Sequence, residues 1–291
     1  MHSPFPLAIA ARPHLLAILG LMPWLALTAA AEPPEDGGNS DVCVVDKATA
    51  LPNAMVKEND VRRVGPFVKA LPDGYTARIE FATFGAGGDN RTIRYVCQMT
   101  PLDPDGRIDG TETAFADWYR KPSRLSPFKQ DVRHGVERLF QNGGEVLQAE
   151  VPWEDGKIHG VKKTYHPSGA LASETTYVQG SPTGLSRSFA PDGQLLRALP
   201  FKDGRRNGPM TDYWPGRGET VQRVIEYRDG EVDGMSREYY ADGKVKWEKP
   251  FRRNTLHGIE RHFAPDGTVE RTRFWLDGKE VGEAAFKDAA P

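Results

Sequence analysis

Cysteine is nearly missing from this chain: 291 residues hold two, Cys43 and Cys97, and no C-x-x-C. That excludes dithiol redox chemistry of the C-x-x-C kind. An excess of charge is missing too, since 38 Lys and Arg stand against 40 Asp and Glu for a net charge of -2, which argues against a general nucleic-acid binder. No G-x-S-x-G, P-loop or dinucleotide fingerprint occurs. What is abundant is glycine and proline, 30 and 23 residues, beside 38% hydrophobic residues, and this favours turn-rich β structure over helices.

Long apolar runs are absent except at the start. His2, Arg12 and His14 precede the run Leu15 to Ala29, and Ala-Ala-Ala-Glu follows at 29 to 32. Residues 1–31 have the pattern of a Sec signal peptide with a small-residue cleavage site; the competing reading, an uncleaved anchor, is opposed by the shortness of the run and by Pro23. The expected location is periplasmic or secreted. No cysteine stands near the cleavage site to carry a lipid. In an exported chain an even pair of cysteines is expected to be bridged, and a Cys43–Cys97 bridge would stabilise the fold by about 4 kcal/mol in the chain-entropy model. Residues 32–40 lack apolar groups and read as a disordered leader, and 41–102, with two strand-like runs at Tyr75–Phe84 and Thr92–Met99, as a small β cap.

From residue 103 the chain is periodic. A Gly-x-x-x-Gly pair recurs with an aromatic residue three positions ahead: Trp153/Gly156/Gly160, Tyr177/Gly180/Gly184, Phe201/Gly204/Gly208, Tyr227/Gly230/Gly234 and Trp275/Gly278/Gly282. Phe251/Asn254/Gly258 and Phe128/Asp131/Gly135 are variants. The second glycines fall at 110, 135, 160, 184, 208, 234, 258 and 282, so each unit of about 24 residues is expected to be one β-hairpin. Tip turns recur as Ala-Pro-Asp-Gly at 190–193 and 264–267. The expected fold is all-β: an elongated, single-layer antiparallel meander over 103–286, about 70 Å long at about 4.8 Å per strand, with the disulfide-tied cap before it and a tail at 287–291.

These residues resemble MORN repeats, more closely the MORN-repeat-variant group that includes antitoxin-like proteins. The shared pattern runs from Gly234 through Asp242, Gly243 and Val245. The resemblance implies a β-meander used for binding or scaffolding rather than catalysis, and an antitoxin or immunity role as an alternative.

Because side chains alternate along a strand, positions one, three and five after each second glycine are expected to share a face. Position three holds Arg138, Lys163, Arg187, Thr211, Arg237 and Arg261; position five holds Phe140, Tyr165, Phe189, Tyr213, Tyr239 and Phe263. The return strands would add Arg197, Arg223, Lys249, Arg271 and Arg273, with Glu150 the one acid, and eight acids would gather on the opposite face. This phasing sets Arg187 opposite Arg197 and Arg261 opposite Arg271. The basic ladder then either stacks on its own aromatic rings or docks a protein or anionic envelope surface. A third possibility is self-association, basic face on acidic face.

Catalytic and metal candidates are thin. His134, His159 and His257 all precede a second glycine, so they sit in equivalent turns about 10 Å apart, too far to share a metal. Ser126 and Lys129 match S-x-x-K, but Pro127 disfavours the helix that motif needs. Asp103, Asp105 and Asp109 cluster without EF-hand spacing. No enzyme, cofactor, metal or small-molecule substrate is expected.

Overall fold

A computed structural model describes residues 42–46, 70–86, 91–115, 121–141 and 144–289. The chain divides into two units, Met1–Asn39 and Ser40–Pro291. The first unit, and with it the signal-peptide segment 1–31 and the whole of the leader 32–40, lies outside the described residues.

Among the described residues the second unit forms one open antiparallel sheet of 22 strands. It begins with β1 (Val42–Asp46), β2 (Thr76–Ala86), β3 (Arg91–Leu102), β4 (Gly110–Phe115), β5 (Pro122–Lys129), β6 (Val132–Arg133), β7 (Gly135–Gln141) and β8 (Val146–Glu154). It continues with β9 (Lys157–Ile158), β10 (Gly160–Tyr165), β11 (Leu171–Val178), β12 (Ser181–Phe189), β13 (Leu195–Lys202), β14 (Arg205–Arg206), β15 (Gly208–Tyr213) and β16 (Val221–Arg228). It closes with β17 (Glu231–Tyr239), β18 (Val245–Arg252), β19 (Thr255–Leu256), β20 (Gly258–Phe263), β21 (Val269–Leu276), β22 (Lys279–Val281) and a terminal helix α1 (Glu283–Ala289). Pairing follows chain order, a meander, and β3 pairs β4, so the first three strands belong to the same sheet as the hairpins after them.

The strands turn on one edge through two-residue loops in which both residues have positive φ, as at Asp155 (48°) with Gly156 (77°) and Arg253 (48°) with Asn254 (66°). This is the I′ geometry whose twist matches that of the flanking strands. The second turn residue also binds the previous hairpin: Gly156 N donates to Arg133 O at 3.0 Å, Gly180 N to Ile158 O at 2.8 Å, and Gly278 N to Leu256 O at 2.8 Å. Where glycine is replaced, the side chain adds a bond, Asp131 Oδ1 accepting from Ile108 N and Asn254 Oδ1 from Val232 N, both at 2.7 Å. That accounts for the two variants.

The second glycine has a different task. At Gly258 φ is 125°, and a Cβ there would come within 2.8 Å of the Pro250 ring. Pro250 has no N–H for the ladder, and its carbonyl accepts from His257 N at 3.1 Å. The pairing recurs as Gly135 with Pro127, Gly160 with Pro152 and Gly208 with Pro200.

The hydrophobic core sits at the N-terminal end, where Leu71, Ala77, Ile79, Phe81, Val96, Met99 and Phe115 pack together. Beyond it the sheet buries few apolar side chains: Ala149, Val151, Ala198 and Met210. Cys43 pairs in register with Ile79, Cys97 lies at a ladder irregularity, and the Cys97 thiol faces Glu80 O at 3.4 Å. The side chains of β1 lie outside the described set. At the other end, α1 occupies residues expected to finish the array and form a tail; Glu283 and Lys287 pair across one turn at 2.7 Å, and Phe286 packs on Phe274 with ring centroids 5.3 Å apart.

Candidate interaction surface

One irregularity decides which residues share a face. In each hairpin a residue just after the tip is skipped: Ser188 pairs with Arg197 and Phe189 with Leu195, while His262 pairs with Arg271 and Phe263 with Val269. A one-residue bulge flips every side chain before it to the other face. Arg187 therefore stands opposite Ala198, not Arg197, and Arg261 opposite Thr272, not Arg271. The uninterrupted phasing is corrected accordingly. Arg197, Arg223, Lys249, Arg271 and Arg273 leave the face that carries Arg138, Lys163, Arg187, Arg237 and Arg261, and the sheet is not bipolar.

On the face of position three, the central row reads strand by strand from β7: Arg138, Glu150, Lys163, Glu174, Arg187 and Ala198. From β15 it continues as Thr211, Val224, Arg237, Glu248, Arg261 and Thr272. This is an alternating ladder, not a basic one. Arg138 meets Glu150 at 3.2 Å, Arg187 meets Glu174 at 3.1 Å, and Glu248 takes Arg261 at 2.7 Å and Arg237 at 3.6 Å. The six predicted aromatics flank the row, and Tyr165 enters it, its hydroxyl donating to Glu150 Oε2 at 2.8 Å. Burial, then that bond, raises the Tyr165 pKa. On the other flank Val136, Val161 and Leu185 remain about two-fifths exposed at 41%, 43% and 38%. An apolar stripe, a charged row and an aromatic stripe thus lie side by side on this open face.

The opposite face is tighter. Asp212, buried, takes Arg197 Nε at 2.5 Å and Arg223 Nη2 at 2.6 Å. Burial would raise its pKa, but the two guanidinium bonds outweigh that and lower it. Glu260, 2% exposed, accepts from Trp275 Nε1 at 2.8 Å and lies 2.6 Å from His262 Nε2 and 3.4 Å from Lys249. Its carboxyl is likewise held low against the effect of burial by His262, Lys249 and Trp275. Glu137 repeats the arrangement with Ser126 at 2.9 Å and Trp153 at 3.1 Å. The aromatic residue ahead of the first glycine is therefore, at Trp153 and Trp275, a donor to a buried acid two positions after the second glycine. Sequence reasoning missed this; the signal was Glu at 137 and 260.

The weaker candidates resolve into local contacts. His134, His159 and His257 each point Nδ1 at a carboxylate of the turn edge, Asp155 at 3.6 Å, Glu154 at 3.1 Å and Asp277 at 3.3 Å. Among the described residues no cluster of metal-binding side chains occurs. Ser126 is buried against Glu137, and Ser126 and Lys129 lie three residues apart on one strand. The Asp103 carboxylate accepts from its own loop, Asp105 N at 3.0 Å and Arg107 N at 2.8 Å, and pairs with Arg107 Nε at 3.1 Å. A cavity of about 460 Å³ lies near Tyr75, Met99, Asp109 and Thr113, against the N-terminal core.

Residues 158–179 match a family model described as MORN repeat variant. No curated protein matches the chain. Among solved structures, a mutant of S. aureus TarM in complex with fondaparinux, alpha-GlcNAc-glycerol and UDP is 18% identical over 33% of this chain and 19% of that one, with a TM-score of 0.25. The match spans less than a fifth of that protein, and the likeness is too low to carry an argument.

Proposed function

We propose that this chain, a MORN-repeat protein by the variant repeat at residues 158–179, is an exported, non-catalytic scaffold that docks a protein partner on its open face. The observation that carries the reading is the exposure of Val136, Val161 and Leu185 beside a row of arginines and aromatic rings. Arginine and aromatic anchors bordered by apolar surface are the chemistry of protein interfaces. The same row argues against an anionic polymer or headgroup layer as the first choice, because Glu150, Glu174 and Glu248 already answer its arginines. Export rests on the N-terminal pattern of residues 1–31.

The test is capture from a cell-envelope extract by tagged wild type and by Val161→Ser/Leu185→Ser. Both side chains are part exposed, so the thermal midpoint should move by only a few degrees. The expected result is a partner held by wild type and lost by the variant, and a recovered bait whose N-terminus begins at Glu32. Equal capture by both proteins would remove the open face from consideration, and a bait starting at Met1 would remove the cleaved signal peptide.

A further inference from the structure

The alternating row has a symmetry of its own. Its twelve positions are, in order, Arg138, Glu150, Lys163, Glu174, Arg187, Ala198, Thr211, Val224, Arg237, Glu248, Arg261 and Thr272. Two copies meeting through this same face are related by a two-fold axis lying between the sheets. If that axis ran across the strands, every residue would land on its own equivalent, Arg138 on Arg138 and Glu150 on Glu150. If it runs along the strands, the order of the row is reversed. An axis passing midway between Ala198 and Thr211 then sets Glu150 on Arg261, Lys163 on Glu248 and Glu174 on Arg237. Arg138 falls on Thr272 and Arg187 on Val224. No like charges meet anywhere in the row. Slipping the second copy by one strand brings Lys163 onto Arg237 or Arg261, and Glu on Glu beside it. The pattern therefore selects one orientation and rejects its neighbours, which is how charge specifies register in other paired assemblies.

We propose that the partner of the open face is a second copy of this chain, stacked face to face about a two-fold axis at Ala198 and Thr211. This rests on the reading of that face as an interaction surface. The same operation keeps each flanking stripe over itself, so Val161 lies over Pro250 and Leu185 over Glu226. Ala198 is the smallest side chain of the row and is buried, which lets the two sheets approach at the axis. Twelve strands at about 4.8 Å, each presenting five residues at about 3.4 Å, offer about 900 Å² per copy. A standard stable interface needs about 800 Å² from each partner. The contact differs from a basic face laid on an acidic one: it is isologous, so it closes at two copies and does not propagate.

Zero-length carbodiimide crosslinking of the purified full chain is read by mass spectrometry beside sedimentation velocity. A Lys163–Glu248 link is expected in a dimer. Within one copy these residues stand seven strands apart, about 34 Å, so the link reports the second copy. The pair of variants Arg237→Glu/Arg261→Glu and Glu150→Lys/Glu174→Lys adds a direct check. Each alone should raise the dimer dissociation constant about tenfold or more, and mixing the two, differently tagged, should restore dimer because the altered halves then face each other. The wild-type crosslink stands whether or not these variants fold. A wild type that is monomeric at tens of micromolar, a dimer lacking the Lys163–Glu248 link, or folded variants that stay apart when mixed would each overturn the inference. If a monomeric wild type still loses envelope capture on Val161→Ser/Leu185→Ser, the open face keeps its docking role and the second copy alone is discarded.

Discussion

At the scale of the residue, the carboxylates of the tight face are where the fold stakes most on charge. Asp212 and Glu260 are both buried, and both are held below their ordinary values of 3.8 and 4.5 by the cations and donors around them. A carboxyl with a lower pKa in the folded than in the unfolded chain contributes stability that is fully present above the unfolded value. That stability is lost as pH falls through the folded value. Thermal midpoints measured from pH 7 downward should therefore drop below about pH 4.5. Asp212→Asn should cost about 1–3 kcal/mol at pH 7, since it leaves Arg197 and Arg223 facing a neutral amide, and should flatten the acid limb of the curve. A variant whose midpoint follows the wild-type curve at every pH would remove Asp212 from this account.

At the scale of the element, the hairpin depends on a glycine with no room for a side chain. Gly258 combines a φ of 125° with a proline ring 2.8 Å from the place of a Cβ, whereas Gly267, in the next tip turn, has a φ of 91° and open space around it. Gly258→Ala adds a clash to the backbone strain, and Gly267→Ala adds strain alone. Chemical denaturation should show the first losing about 2–4 kcal/mol and the second about 1–2. Equal losses would mean that Pro250 yields without cost. The glycine pairs made the turns legible in the sequence, because Asp-Gly and Gln-Gly dipeptides have few other uses between alternating runs. The prolines at 127, 152, 200 and 250 were just as regular and carried the other half of the device. What the sequence hid was the bulge after each tip. Leu196 and Glu270, the skipped residues, carry no glycine, proline or turn signal, and a bulge there leaves no mark on the pattern while inverting the face of Arg197 and Arg271. The row of five basic residues on the outgoing strands was visible. That acids answer it on the return strands depends on a register the composition does not encode.

At the scale of the whole sheet, stability is unevenly spread. Among the described residues the cluster around Ile79, Val96 and Met99 is the one place where several large apolar side chains pack together, while the later strands hold themselves by ladder bonds and ion pairs. Native-state hydrogen exchange should find the slowest amides in β2 to β5 and progressively faster ones towards β21 and β22. Uniform protection from one end to the other would mean that the hairpins unfold as one cooperative body despite their local contacts.

The bonds that join each turn to the one before it have a consequence for descent. Asp131 N, Gly156 N, Gly180 N, Gly204 N, Gly230 N, Asn254 N and Gly278 N all reach back to the equivalent carbonyl of the preceding hairpin. A codon gained or lost along that edge would leave two neighbours out of step. The opposite edge forgives: the tip between Trp214 and Thr220 is longer than the others and is closed by the Gln194 side chain, which bonds Trp214 O and Gly218 O at 2.8 and 2.7 Å. A gene for such a chain can drift in length at its tips, but it grows or shrinks along the sheet only by whole hairpins copied or deleted at once.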